Sequence, residues 1–427
     1  AQNFTTATDS HNTAVGHNAG NDVTTGIQNT LLGSLSGDAV TTGSENTALG
    51  QAALGQDTKG NKTVAVGNGA LATQNFTTST DSHNTAVGYT AGLSVTTGTQ
   101  NTLIGSEAGD ALTTGGENVA VGAFALSAED GHGKNVAVGV QSLLSLDAGA
   151  DGNNTAVGYL SGKAVTTGTN NTLIGSLAGD ALTAAFENTA VGESALGTDT
   201  LGRRTVAVGS GALQTQNFTT ATNSYNVAVG YDAGVLVTTG VQNTLIGGLA
   251  GDDITTGYNN VCVGYNLNIS AVNGNNQIII GNGVGAGGNN TARFGTSAGT
   301  VTIDLDGSDT SWAAASDERL KKDVTDSVAG LSFIKDLRPI TYKWKAKNAV
   351  ANTLPQYNAD SSDPVYGSGK TQHGFIAQEV KTAIDSHSEI SNGFSMWSED
   401  PNGTQQVAPA ALIPMLVKAI QELEARI

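Results

Sequence analysis

Cysteine is almost absent from this 427-residue sequence: Cys262 stands alone, which excludes an intrachain disulfide framework. Proline is missing from the first 338 residues, since all six prolines lie at or after Pro339. Tryptophan is missing before Trp312, and both methionines lie beyond residue 390. Basic residues are scarce in the same region. Residues 1–315 carry 7 Lys+Arg against 23 Asp+Glu, a net of −16, whereas residues 316–427 carry 12 against 14, a net of −2. A surface this acidic argues against nucleic acid as a partner, because phosphate binding needs Lys and Arg; the excess charge keeps a long apolar object in solution. No run is apolar for long enough to span a membrane, so membrane insertion is not expected. No signal peptide opens the chain, which begins at Ala1 without Met and leaves room for a preceding attachment domain. Helical periodicity is also lacking in residues 1–315, which hold 51 of the 57 glycines. The chain joins two unlike materials.

What fills the first part is a repeat. Asn-Thr-Ala-Val-Gly and its variants close on Gly16, Gly33, Gly50 and Gly67, then Gly88, Gly105, Gly122 and Gly139, then Gly158, Gly175, Gly192 and Gly209, then Gly230, Gly247, Gly264 and Gly281. The step within each group of four is 17 residues, and the steps between groups are 21, 19 and 21. So short and regular a period marks a solenoid or stacked array. The residue before each glycine is aliphatic, from Val15 to Ile280, and the residue two earlier is Thr or aliphatic, as at Thr13, Val64 and Ile278. These two share one face of a strand, and small or apolar residues such as Ala14 and Leu31 lie between them. Both faces are therefore expected to be covered. The opening position is Asn in 13 of 16 repeats, which predicts a hydrogen-bonded ladder along the axis. With one coil per repeat and strands about 4.8 Å apart, the shaft is on the order of 77 Å long.

Gly-Asp recurs once per long unit, at Asp38, Asp110, Asp180 and Asp252. A turn explains it better than calcium, which needs several converging oxygens. The longer steps carry Phe4, Phe76 and Phe218, with residues 147–152 at the matching place, and are expected to project as loops. Residues 300–305 alternate as a strand does and suggest a neck closing the open end of the shaft.

The repeat core is similar to the head repeats of trimeric autotransporter adhesins, which implies a trimeric parallel β-roll. The adhesins' usual spacing is shorter, and nothing after residue 281 looks like their membrane-anchoring barrel. Then comes Trp312-Ala313-Ala314-Ala315-Ser316-Asp317-Glu318-Arg319-Leu320-Lys321-Lys322-Asp323-Val324, followed by Gly374-Phe375-Ile376-Ala377-Gln378-Glu379-Val380 and by Leu412-Ile413-Pro414-Met415-Leu416-Val417-Lys418-Ala419-Ile420-Gln421-Glu422-Leu423. These three phrases, in this order, resemble the endosialidase-type intramolecular chaperone that ends many phage tail fibres and tailspikes. The resemblance covers residues 312–427. It implies a trimeric helical chaperone that assists folding of the fibre and then cuts itself away. Leu412, Leu416, Ile420 and Leu423 also follow a helical stripe, compatible with a coiled trimer or with packing on their own domain.

The resemblance places the cut between Ala315 and Ser316 and implies a Ser–Lys pair, Ser316 with Lys321. A serine hydroxyl is a poor nucleophile until a neighbour takes its proton, and a lysine does so only if its pKa falls from about 10.4 toward neutrality. Arg319 and Lys322 are nearby cations in the sequence, and Lys322 and His373 are rival bases. Asp317 and Glu318 could position the lysine, although capping the following helix suits them better. On a continuous helix residues five apart lie on different faces, so the serine is expected to precede the helix or to meet a lysine of another subunit.

The expected fold is thus a mainly β solenoid or β-roll shaft of sixteen 17-residue repeats, homotrimeric, followed by a mainly α-helical chaperone domain. The boundaries are 1–285 for the shaft, 286–311 for the neck and 312–427 for the chaperone. The leading function is a phage tail fibre or tailspike that reaches a host-surface receptor, a glycan, from an extracellular virion assembled in the host cytoplasm. A cell-surface or extracellular fibre with the same chaperone is the alternative. A polysaccharide-degrading spike is the third reading, but its acids would form a paired groove site, whereas these recur with the lattice. No cofactor or metal site is expected.

Overall fold

The computed structural model describes residues 8–305, 313–314, 318–352, 354, 356–366, 369–391, 394–400 and 403–426. The chain falls into two compact units, Ala1–Ala315 and Ser316–Ile427.

The first unit is a β-solenoid. Each repeat contributes one short strand, such as Thr30–Leu32, Thr102–Ile104 and Val206–Val208. Consecutive strands pair in parallel at equivalent positions: Thr13 on Thr30, Ala86 on Leu103, Val191 on Val208. The closing glycine ends the strand for a steric reason. Gly16 adopts φ +139°, and a Cβ there would lie 2.4 Å from the Gly33 carbonyl oxygen of the next coil. Glycine does not do all the turning. The residue before the opening Asn also enters the left-handed region, as at Gln28 (φ 59°) and Gln100 (φ 60°).

The sixteen repeats form sixteen coils, and a further one follows, giving about 17 turns. Thr291–Thr296 pairs in parallel with Ile278–Asn282, with Phe294 on Ile280 after a shortened step. Gly299–Asp304 then runs back antiparallel on it, and Ala313–Ala314 pairs antiparallel with Val301 and Thr302. Parallel stacking stops there, and the last rung's edge is covered.

The middle residue of the strand fills the interior. Leu31, Leu103, Leu173 and Leu245 occupy the second rung of each group and alanines most others, all essentially inaccessible from Leu31 onward. Large and small side chains therefore interleave along the axis. Within one chain only one of the two strand faces expected to be covered is buried: the flanking aliphatic residues point outward. Val15 is 56% exposed, Ile104 39% and Ile246 40%. They form a continuous apolar ladder on the outside of a single chain.

The asparagine ladder is present and runs through the backbone. Each side-chain oxygen accepts the next opener's amide: Asn29 N–H donates to Asn12 Oδ1 at 2.8 Å, and Asn188 N–H to Asn171 Oδ1 at 3.1 Å. Each Nδ2 except that of Asn135 donates to a carbonyl 14 residues on, as Asn46 does to Gly60 at 2.9 Å; Asn135 Nδ2 turns back to the Gly133 carbonyl at 3.1 Å. Thr63 and Thr205 lack an amide oxygen and break the series, and the 21-residue steps fall there. The extra residues bring Ser82 to Thr63 (2.6 Å between hydroxyls), and Ser82 Oγ accepts the orphaned Asn84 amide at 3.2 Å. Ser224 does the same for Thr205 and Asn226. Where Asn135 keeps the ladder, the step is only 19.

This corrects the expectation of projecting loops at Phe76 and Phe218. Both residues are buried at 5% exposure, and their amides donate to the buried carboxylates of Asp57 (3.2 Å) and Asp199 (3.1 Å). Phe4 lies outside the described residues. The Gly-Asp carboxyls are held above the usual carboxylate range by burial. The Asp38, Asp110 and Asp180 carbonyls are stitched to the preceding coil, as where Asp22 N–H donates to the Asp38 carbonyl. Among the described residues no three metal-ligating atoms converge at these positions.

Among its described residues the second unit carries three α-helices, α1 (Leu331–Asp336), α2 (Ala377–Ser386) and α3 (Ile413–Glu424), with two-stranded antiparallel pairs between them. Phe333, Val380, Ile384, Met396 and Leu412 form its core. Among the described residues no helix is long and apolar enough to cross a membrane.

Candidate functional site

Ala315, Ser316 and Asp317 lie outside the described residues, but both flanks are described. Upstream, Ala313–Ala314 is a strand of the shaft's closing sheet. Downstream, Glu318–Leu320 forms a single 3-10 turn, and the Lys321 amide donates to the Glu318 carbonyl at 3.0 Å. The regular turn ends there, so Lys321 leaves it rather than continuing a helix. Glu318, Arg319, Lys321 and Lys322 are exposed.

His373 sits elsewhere. It belongs to the strand Gln372–Gly374, opposite Thr341, and lines a groove of about 850 Å³ with Tyr342, Trp344, Tyr366 and Phe375. Lys321 and Lys322 are not in that wall. The rival bases thus occupy two different neighbourhoods of the unit.

Three contacts that hold the unit together escaped sequence reasoning. Glu422 of α3 accepts the Leu331 amide at 2.9 Å and so caps α1 from 91 positions away. Arg338 grips Glu379 with Nε and Nη2, which lowers the carboxyl's pKa. His387 lies between Asp336 (2.8 Å) and Glu389 (3.0 Å), with its ring edge-on to Phe333. The hydrogen bond to Asp336 is the main cause of its raised pKa. Such pairings have no local signal; only the folded chain brings them together.

The stripe on α3 divides between inside and outside. Leu412, just before the helix, and Ala419 are buried. Ile413 (61% exposed), Leu416 (43%), Val417, Ile420 (64%) and Leu423 face outward on a single chain. Own-domain packing therefore uses one edge of the stripe and leaves the wider face uncovered.

Residues 316–388 match the family model described as chaperone of endosialidase. The match begins at the first residue of the second unit and extends through α2. No curated protein and no solved structure matches the chain. The family indicates a self-cleaving, peptidase-type domain, and such a domain behind a β-solenoid shaft fits a tail-fibre- or tailspike-like protein.

Proposed function

We propose that the chain is one strand of a homotrimeric phage fibre shaft whose C-terminal unit aligns three chains and then cuts itself off between Ala315 and Ser316. The observation that carries this reading is the aliphatic ladder left open along the solenoid, from Val15 to Ile280. In one chain it exposes an apolar strip of a size that soluble proteins reserve for partners. Its residues recur at the spacing of the coils, and a second copy of the chain in register supplies the same spacing. The uncovered face of α3 gives the chaperone a matching apolar surface for its own copies.

Register is the reason for an aligner. Every rung resembles the next, so a slip by one coil changes few contacts, and parallel pairing has little local structure to guide it. A unit that gathers three C-termini first sets one register for all three shafts.

In the cut, Ser316 Oγ attacks the Ala315 carbonyl carbon as Lys321 takes the hydroxyl proton. The amide becomes an ester on Ser316, and the freed amine takes a proton. Water then hydrolyses the ester, leaving a carboxylate on Ala315 and restoring the Ser316 hydroxyl. The nucleophile departs with residues 316–427, so each chain reacts once. Ala313–Ala314 stays with the shaft, paired to Val301 and Thr302. The released shaft serves host attachment outside the cell. Tyr89, Tyr159 and Tyr231, 57–63% exposed at the first rung of successive groups, offer flat apolar faces on which sugar rings of a glycan receptor stack.

A denaturing gel with intact-mass measurement tests the cut. The wild type yields a fragment corresponding to Ser316–Ile427, and Ser316→Ala yields the full chain only. The same fragment from Ser316→Ala overturns the serine assignment.

A further inference from the structure

The three lengthened steps follow equivalent coils, and two of them are built alike. Seven residues after Gly50, Gly122 and Gly192 stand Asp57, Glu129 and Asp199. In the first coil Asp57 accepts the Gly60 and Phe76 amides and the Gln74 Nε2. Asp199 repeats this with Gly202, Phe218 and Gln216. Beside each carboxylate a neutral pair closes the gap: Thr58 donates to Asn75 and Thr200 to Asn217, both at 3.1 Å.

The middle coil changes all of these positions at once. Glu129 stands for the aspartate, Asp130 for the threonine, His132 for the glycine, Leu146 for the glutamine and Asp147 for the asparagine. The glutamine donor is gone, and two carboxylates replace a hydrogen-bonded Thr–Asn pair. One ligand atom from each of Glu129, Asp130, His132 and Asp147 lies within 4.8 Å of the others. Glu129 is wholly buried and accepts the His132 amide at 3.1 Å and the Ala148 amide at 3.4 Å. His132 Nδ1 faces Glu129 Oε1 at 3.4 Å and is a buried atom with no hydrogen-bond partner. Lys134, the nearest base in the sequence, is held by Asp151 at 2.6 Å.

We infer that Glu129, Asp130, His132 and Asp147 form a binding site for one divalent transition-metal ion. Three carboxylates this close repel one another unless a cation sits among them. The unpartnered imidazole nitrogen supplies a fourth ligand, and a nitrogen beside carboxylate oxygens suits Zn²⁺ or Mn²⁺ better than Ca²⁺. Ligand bonds of about 2.0–2.2 Å bring tetrahedral ligand atoms to roughly 3.5 Å apart, so the four need only a small closure. The ion would fasten the loop at residues 147–152 to its coil, the task that the Asp–Gln pair performs in the sister coils.

The test uses the full chain, stripped with chelator and titrated calorimetrically with Zn²⁺, Mn²⁺ and Ca²⁺ separately. Its comparison is a variant carrying the sister residues, Glu129→Asp, Asp130→Thr, His132→Gly, Leu146→Gln and Asp147→Asn. These residues already occupy the equivalent coils of the same shaft, so the variant is expected to fold. The wild type should take up one Zn²⁺ or Mn²⁺ per chain at least tenfold more tightly than the variant, and only its melting temperature should rise with metal. Co²⁺ should show imidazole-dependent visible bands that His132→Gln abolishes. Equal binding by both proteins, preference for Ca²⁺, or uptake only at millimolar metal (an adventitious ion only) would overturn the assignment.

Discussion

Replacing Asn171 with alanine should open the solenoid at one known amide. Asn171 is wholly buried; its Oδ1 accepts the Asn188 amide at 3.1 Å, and its Nδ2 donates to the Ala185 carbonyl at 3.0 Å. Alanine keeps the backbone and removes both partners; the Nδ2 bond to Asn154 Oδ1 at 3.1 Å also goes, but that oxygen keeps the residue-171 amide at 3.0 Å. The Asn188 N–H and the Ala185 C=O each lose a bond in a place where water does not readily replace it. A stranded buried group costs about 1–3 kcal/mol, so the pair costs about 2–6 kcal/mol. In a stacked array that cost is felt mainly by the affected coil and its neighbours, not spread evenly along the shaft. Hydrogen exchange read by mass spectrometry on peptides spanning residues 185–192 measures it directly. At about 1.4 kcal/mol per decade, the Asn188 amide should exchange at least roughly 30-fold faster, while peptides in distant groups keep wild-type rates. Leu173→Ala, two positions along the chain, costs a comparable amount of about 2–5 kcal/mol through a cavity but strands no polar group. If Asn188 exchanges within about threefold of wild type, its amide never depended on the Asn171 oxygen, and the asparagine ladder is not what holds the coils together.

Three further outcomes are expected. Ile104→Glu, Ile174→Glu and Ile246→Glu together should turn a trimer into monomers in analytical ultracentrifugation; each residue is about 40% exposed, so full burial is worth about 0.6–1.2 kcal/mol per rung, before the cost of facing carboxylates. A wild-type shaft that stays monomeric at micromolar concentration refutes the fibre reading itself. His387 has a raised folded pKa, so its contribution is fully present below the unfolded value near 6.5 and is lost as pH rises through the folded value. The C-terminal unit should therefore melt at a lower temperature as pH rises through that window, and His387→Gln should flatten the trend. Burial pushes the Cys262 thiol up to about 12, so a thiol reagent should label it only when the shaft opens, and rapid labelling of native protein would contradict its place in the core.

Much of the shaft was legible because its period is written in the chain. The glycine positions marked one strand per 17 residues, and the recurring Asn marked the ladder. The outward face was not legible, since Val15 or Ile104 reads equally well as core until a fold shows which neighbour covers it. The loops misled for a related reason: Phe76 and Phe218 sit in polar surroundings in sequence, and only the folded coil reveals the buried Asp57 and Asp199 that accept their amides. The chaperone's second and third phrases fall on α2 and α3, but α1 lies outside all three and the first phrase holds a single 3-10 turn where a helix start was expected; Glu422 capping Leu331 and His387 meeting Asp336 depend on long-range closure. The four-residue cluster at Glu129 follows no local motif, since Asp147 lies 15 residues beyond His132; comparing equivalent coils within the chain was the signal that could have found it.

The seam at Thr63, repaired by Ser82 from the following group, bears on heredity. The seam at Thr205 is mended in the same way by Ser224, so the eight coils between these two seams are a transferable cassette, opened and closed by the same repair. Recombination between misaligned groups would add or remove a whole cassette and leave no unmatched edge inside. Each gain lengthens the shaft by about 38 Å, at eight strands of about 4.8 Å. Reach then varies by copy number, and a lineage could lengthen or shorten this structure without inventing a single new contact.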